Sequence, residues 1–290
     1  MPDDFCRPAG FTLPAVELRT YAESIVTSTS LEAKLRPPPA DLTDHRPGPP
    51  LRIDAPARDD HLTIRPGRSV KVPSLRGMAD PAQRARIIHA LANHELQAAE
   101  LFAWALLAFP DAPDAFRRGA LAILADEQRH FRMYESRLQA LDTAFGDHGI
   151  TGHFWHKIDA IDTPLRFVCA MALTFENANL DFATEIEAAA RDAGDTETAA
   201  VLRRVHEDEI RHVRFGWRWL DALKDDGASH WQAYLDNVQW PLGPPRARGR
   251  TVNEEARHRA GLSSEFIAAL VAAPHRLHRA PANDDQPAPE

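Results

Sequence analysis

One seven-residue frame occurs twice in this chain. The pattern D-E-x-R-H-x-R fills 126–132 and returns at 208–214, 82 positions later. In a helix, residues three apart project from the same face, so each copy presents a glutamate and a histidine together. Carboxylates mixed with imidazoles suit iron, manganese or zinc better than calcium or magnesium, which prefer all-oxygen sites. The two pairs are Glu127 with His130 and Glu209 with His212.

Two further glutamates complete the pattern. Glu95 precedes Glu127 by 32 residues, and Glu176 precedes Glu209 by 33. All four glutamates fall on apolar stripes of helical period, which predicts that they share a core and repel one another. Protonation or arginine partners would offset this charge, but the neighbouring arginines fall on an outer helix face, so a pair of divalent cations is the better solution. The predicted metal ligands are Glu95, Glu127, His130, Glu176, Glu209 and His212, and the four glutamates are also the predicted catalytic groups.

Asp126 and Asp208 directly precede the motif glutamates. A metal-bound histidine usually donates its second N–H to a carboxylate, so we expect these aspartates to accept hydrogen bonds from the two histidines, each from the opposite helix.

Two other acidic residues near the stripes, Glu100 and Asp181, point away from the predicted core, and surface ion pairs are expected for them. A single E-x-x-H on a helix is usually a solvated face, and an inert inherited repeat is a second alternative.

The elements that would position these residues are four helices. Asp80-Pro81 predicts a helix start, and the apolar stripe that follows ends near Phe109. A proline-containing break at 110–113 leads into a second helix, Thr163-Pro164 begins a third, and Gly194-Asp195 ends it and begins the fourth. A long connection, 146–163, joins the two helical hairpins. The prediction is an all-α fold with the connectivity of a ferritin-like four-helix bundle with one long crossover.

The flanking segments differ from this core in composition. Residues 1–77 contain two proline clusters that exclude long helices, which predicts an extended arm that wraps the core, with one short helix at 13–25. Residues 78–225 form the predicted bundle with its dinuclear metal site. Residues 226–290 form a predicted C-terminal appendage, irregular up to about residue 250, with a short helix near 263–272 and a disordered tail.

Bulk composition limits the function classes. The 290 residues are 44% hydrophobic and 26% charged, as in an ordinary soluble globule, and the net charge of −8 disfavours a nucleic-acid partner. The longest apolar stretch is too short to cross a bilayer, and the first residues lack the form of a secretory signal. With two cysteines there is no disulfide framework or thiolate zinc site, so a cytoplasmic location is expected.

The stretches that contain the motif residues resemble a known superfamily. Residues 92–98, 124–130 and 173–180 are similar to the ferritin-like superfamily. Within it, they resemble the di-iron oxygenases and the radical-generating subunit of ribonucleotide reductase more than the ferritins. They further resemble the bacterial domain-of-unknown-function family 455, and that resemblance extends to 44–56 and to the region around Trp240 and Pro241. It implies a di-iron carboxylate site on a helical frame and names no substrate.

Together these features predict a non-haem di-iron oxidoreductase that activates O2. Its expected reaction is hydroxylation, desaturation or N-oxygenation of a small organic molecule, with an electron donor that the sequence does not identify. Manganese or a mixed manganese–iron pair would accept the same ligands. The alternatives are metal handling, as a ferroxidase or in peroxide detoxification, and a manganese catalase-like enzyme. The oligomeric state stays open, with a homodimer among the options.

Overall fold

The computed structural model describes residues 16–239 and 241–274, and within them the chain is predominantly helical. The expected all-α class is confirmed, with one parallel pair of two-residue strands as the exception. The elements are α1 (Leu18–Thr27), α2 (Leu31–Lys34), β1 (Ile64–Arg65), α3 (Pro81–Ala108), α4 (Asp114–Gln139), β2 (Ile150–Thr151), α5 (Pro164–Ala170), a π-helical segment (Met171–Glu176), α6 (Asn177–Asp192), α7 (Thr196–Leu223), α8 (His230–Asn237), α9 (Glu254–Ala260) and α10 (Ser264–Ala272).

Two long helical hairpins form the centre of the molecule. Helix α3 packs along α4, and α6 packs along α7, while α4 and α7 join the two hairpins. The starts predicted from capping residues are observed: the side chains of Asp80, Thr163 and Asp195 accept hydrogen bonds from the backbone N–H groups of α3, α5 and α7. Such caps satisfy N–H groups that have no partner within their helix, which is why these boundaries could be read locally.

The third long helix is interrupted by the π-helical segment that ends at Glu176. A π turn inserts an extra residue, and it leaves backbone groups in need of new partners. The Thr174 hydroxyl bonds to the Cys169 carbonyl at 2.7 Å and to the Tyr234 hydroxyl at 2.9 Å. Helix α7 approaches this segment closely at Gly216, where a Cβ atom would lie 2.4 Å from the Ala172 Cβ. The insertion changes the register at which Glu176 faces the core.

The described part of the N-terminal arm, from residue 16 onwards, lies against the outside of the first hairpin. Helix α1 packs on α3, and Arg117 of α4 pairs with Asp44 of the arm at 2.6 Å. The long connection after α4 is held there too, because β2 pairs with β1 of the arm. Its 3-10 turn, Trp155–Ala160, places the Trp155 indole against α3.

The expectation for Glu100 was wrong, because this residue is buried and not at the surface. Its carboxylate accepts from Arg58 at 2.7 and 3.0 Å, pairs with the Lys34 ammonium at 3.0 Å and accepts from the Trp155 indole at 2.9 Å. Burial lowers the pKa of Lys34, although Glu100 opposes that shift. The arm covers this face of α3, and local helical periodicity carries no information about such a covering segment.

Asp181 on α6 is the second such correction, since it is also buried. Arg257 of α9 donates to both of its oxygens, at 2.7 and 2.9 Å, and the Gly249 and Asn253 N–H groups complete its hydrogen bonding. The segment expected to be irregular, 225–250, contains the eight-residue helix α8. The tail expected to be disordered lies almost entirely outside the described residues. None of the described helices has both the length and the apolar character required to cross a membrane.

Substitution of Glu100 tests whether this buried pair holds the arm. We expect Glu100→Gln to lower the free energy of unfolding by about 3–5 kcal/mol, because Lys34 and Arg58 lose their shared anion. Urea denaturation followed by circular dichroism measures the change. Glu207→Gln, which breaks an exposed pair with Arg259, is the matched control and should cost less than about 1 kcal/mol. Equal effects of the two substitutions would contradict the assignment.

Candidate metal centre

Six side chains from the four long helices meet in the centre of the molecule. They form two overlapping groups of four residues, and Glu127 and Glu209 belong to both groups. Within each group, one candidate ligand atom from each residue lies within 4.8 Å of those of the others. None of the six residues is more than 5% exposed. All six residues predicted as ligands are thus brought together: Glu95, Glu127, His130 and Glu209 in one group, and Glu127, Glu176, Glu209 and His212 in the other.

Both imidazole rings direct Nδ1 at the carboxylates. His212 Nδ1 lies 3.0 Å from Glu127 Oε1 and 3.5 Å from Glu209 Oε2. His130 Nδ1 lies 3.5 Å from Glu95 Oε2 and 3.7 Å from Glu127 Oε2. The two rings are 5.8 Å apart between centroids. A cation among these atoms would therefore meet nitrogen and oxygen donors from both hairpins.

Several donor atoms of this cluster are buried without a hydrogen-bond partner. Buried polar atoms are nearly always paired in native proteins, so a concentration of unpaired ones indicates a missing ligand. The atoms belong to five of the six residues, and the donor set of carboxylates and imidazoles fits first-row transition metals. They are Glu127 Oε1, His130 Nδ1, Glu176 Oε1 and Oε2, Glu209 Oε2 and His212 Nδ1.

The Nε2 edge of each imidazole ring contacts an aspartate on the partner helix: α7 for His130 and α4 for His212. Asp208 Oδ2 lies 3.1 Å from His130 Nε2, and Asp126 Oδ2 lies 3.2 Å from His212 Nε2. A carboxylate only accepts, so in both cases Nε2 carries the proton and donates it. This leaves Nδ1 of each ring directed at the glutamates, which is the orientation a metal-binding histidine requires.

Two arginines of the repeated frame bridge these aspartates, a role the sequence interpretation missed. Arg129 contacts Asp126 at 2.7 Å and Asp208 at 2.6 Å. Arg211 contacts the same two residues at 2.9 and 2.6 Å. The signal was available, because each copy places Asp and Arg three residues apart, but the contact across α4 and α7 depends on how those helices pack.

The close packing of ionisable side chains shifts the pKa values of the cluster residues. Burial, reinforced by neighbouring carboxylates, raises the pKa values of Glu95 and Glu176. Burial also opposes ionisation of Glu127, but the approach of His130 and His212 outweighs it and lowers the pKa of Glu127. The pKa values of both histidines are raised, because contacts with Asp208, Asp126 and the glutamates exceed the effect of burial. The same contacts that raise the pKa values of the histidines therefore lower that of Glu127.

A cavity of about 260 Å³ opens onto the cluster. Its walls include Glu95, Glu127, Glu176 and Glu209, together with Asn179, whose side-chain amide donates to Glu209 Oε1 at 3.0 Å. Much of the remaining lining is apolar, and it also includes two arginines of the C-terminal segment. The sequence interpretation identified none of these additional residues as part of the site: Phe154, Met171, Phe175, Arg246 and Arg248.

The fold and cluster define a predominantly helical protein with buried glutamate and histidine side chains that could hold metal ions. The family model described as "Protein of unknown function (DUF455)" matches residues 17–268, so the chain belongs to that family. This agrees with the resemblance found in the motif stretches. Neither the curated proteins nor the solved structures contain a match to this chain.

The aspartate contacts predict how metal affinity depends on residues that are not ligands. We expect Asp208→Asn to weaken Co(II) binding about 10–100-fold, because the His130 ring loses the charge that fixes its orientation. Competition against a chelator of known affinity measures the effect. Asp221→Asn is the control. Asp221 lies on α7, as Asp208 does, and it contacts His230 at 2.9 Å in a similar aspartate–histidine pair outside the cluster. Unchanged affinity in Asp208→Asn would refute this role.

Proposed function

We propose that this protein is a non-haem di-iron oxidoreductase that uses O2 to oxidise a small organic molecule. The observation that carries the proposal is the convergence of one glutamate from each of two helices with a Glu-x-x-His pair from each of the other two. That ligand set characterises di-iron and di-manganese proteins of the ferritin-like type. We infer accordingly that the two hairpins form a ferritin-like four-helix bundle.

The ligand chemistry supports two ions of a first-row transition metal. Glu127 and Glu209 belong to both ligand groups, so either residue could help to hold each of two ions. The remaining members of each group are Glu95 with His130 on one side and Glu176 with His212 on the other. Iron is favoured by the oxidative chemistry proposed, and manganese would accept the same donors.

The protein's own residues perform distinct tasks at this site. Asp126 and Asp208 hold the Nε2 protons of the histidines, so that Nδ1 of each ring stays available as a ligand atom. Asn179 restrains one oxygen of Glu209, while neither oxygen of Glu176 has a hydrogen-bond partner, which leaves that carboxylate free to change its position. Two bound Fe(II) ions would supply two of the four electrons that reduction of O2 requires, the substrate would supply the other two, and an external electron donor would restore Fe(II). The apolar lining limits access of bulk water to the reacting groups.

The cavity favours oxidation of an organic molecule over metal storage. Its volume of about 260 Å³ lies near the lower end for small-molecule pockets, and four of the candidate ligands form part of its wall. A molecule bound there would lie directly against the proposed metal centre. A storage protein has no need for a largely apolar cavity beside its ligands, so metal handling is the weaker alternative.

Iron uptake provides the direct test. Protein loaded anaerobically with Fe(II) should retain about two irons per chain, the number that two overlapping ligand groups accommodate. Exposure to O2 should then produce ferric absorption in the near ultraviolet. Metal analysis and stopped-flow absorbance measure the two properties, and neither requires a known substrate.

Variants make the test specific to the cluster. Glu127→Ala and His212→Ala should each reduce retained iron to less than one ion per chain. Glu135→Ala, two turns beyond Glu127 on α4, should retain the wild-type amount. Normal uptake in the first two variants would exclude the proposed centre, and uptake of many irons per chain would favour storage.

A further inference from the structure

Arg248 is a buried cation in the wall of the central cavity. Only 6% of the residue is exposed. Its Nη2 atom donates to the Ala273 carbonyl at 2.7 Å, and its buried Nε has no partner. Across 16–239 and 241–274, no carboxylate lies within the 4.0 Å ion-pair distance of its guanidinium. A buried charge without a counter-ion is strongly unfavourable, so this position calls for an anion.

The other buried cations of the described segments follow the opposite pattern. Lys34 pairs with Glu100, Arg117 with Asp44 and Arg257 with Asp181, at 3.0, 2.6 and 2.7 Å. Each of these pairs joins an outer segment to one of the long helices. Arg248 is the exception among them, and it is also the one that lines the cavity. Among the described residues, Arg248 is therefore a buried cation without a carboxylate partner that borders the space available for a ligand.

The backbone around Arg248 is held firmly in place. The Gly249 N–H donates to Asp181 Oδ2 at 2.8 Å, and Arg257 donates to the Ala247 carbonyl at 3.2 Å. The residues on both sides of Arg248 are therefore anchored to the Asp181–Arg257 pair. A preorganised cation loses little conformational entropy when it binds an anion, which increases the affinity available from one contact.

The surroundings extend the positive charge and add apolar surface. Arg246 lines the same cavity and is itself exposed. Burial, together with the charges of Arg246 and Lys157, lowers the pKa of His153 to about 4. Phe154 and Phe175 line the cavity with ring centroids 4.4 Å apart. A ligand that matches this environment has one anionic end and an apolar body.

We propose that the cavity binds a small organic monocarboxylate, with its carboxylate paired to Arg248 and its apolar body along Phe154 and Phe175. Such a molecule would expose its carbon–hydrogen bonds to the glutamate cluster. Its identity as the substrate rests on the proposed di-iron function, whereas its binding does not. A single buried guanidinium matches the single charge of a carboxylate, and the guanidinium fork fits its two oxygens.

Matched pairs of acids and amides test the proposal with the full-length protein. Benzoate, phenylacetate and hexanoate are each compared with the corresponding uncharged amide by isothermal titration calorimetry, on iron-loaded and metal-depleted protein. At least one acid should bind about 10–100-fold more tightly than its amide, the range expected for a charge-assisted contact. Phenyl phosphate forms a further arm, and its preference over every carboxylate would overturn the assignment.

Substitution of Arg248 tests whether this residue causes the preference for an acid over its amide. Arg248→Met should remove the preference for the acid over its amide in the same metal state, whereas Arg248→Lys should retain part of it. Arg218→Met, an exposed substitution on α7, should leave the preference unchanged, and thermal unfolding of each variant verifies folding. No acid bound in preference to its amide, or a preference that persists in Arg248→Met, would refute the proposal. Loss of iron binding with a retained acid preference would refute only the di-iron function.

Discussion

Four glutamate carboxylates share one buried volume, and the electrostatic cost of that arrangement governs the structure around them. Two imidazoles lie among the carboxylates, two aspartates lie behind the imidazoles, and two arginines bridge the aspartates. Acidic and basic side chains thus alternate from the centre of the molecule towards its surface. The aspartates accept the Nε2 protons of the histidines, so the rings remain oriented with Nδ1 directed at the glutamates.

The same requirement explains how the terminal segments are attached. Glu100 receives Lys34 and Arg58 from the arm, and Asp181 receives Arg257 from the C-terminal segment. Because an unpaired buried charge is so unfavourable, each of these pairs specifies one docking position for its segment. The C-terminal attachment in turn places Arg248 in the cavity wall, where its charge has no described partner. The ion pair that positions the C-terminal segment therefore also determines which charge lines the cavity.

Much of the core could be predicted from local sequence. Helix starts follow from capping side chains such as Asp80 and Asp195, whose hydrogen bonds span three residues. The six candidate ligands follow from helical period and from the repeated frame, since residues three apart share a face in any helix. Glu100 and Asp181 were misjudged for the complementary reason. Their burial depends on segments more than 40 residues away in sequence, which no periodicity within α3 or α6 records.

The sequence by itself determined which side chains could bind metal and which helices carry them, because both properties arise from short-range spacing. Only the tertiary structure decided how Arg129 and Arg211 bridge the two motifs and that a π turn ends at Glu176. It also determined the position and lining of the cavity, whose wall combines α3, the π segment and the distant residue Arg248. Those features result from packing between elements, and packing brings together residues whose separation along the chain carries no signal of their contact.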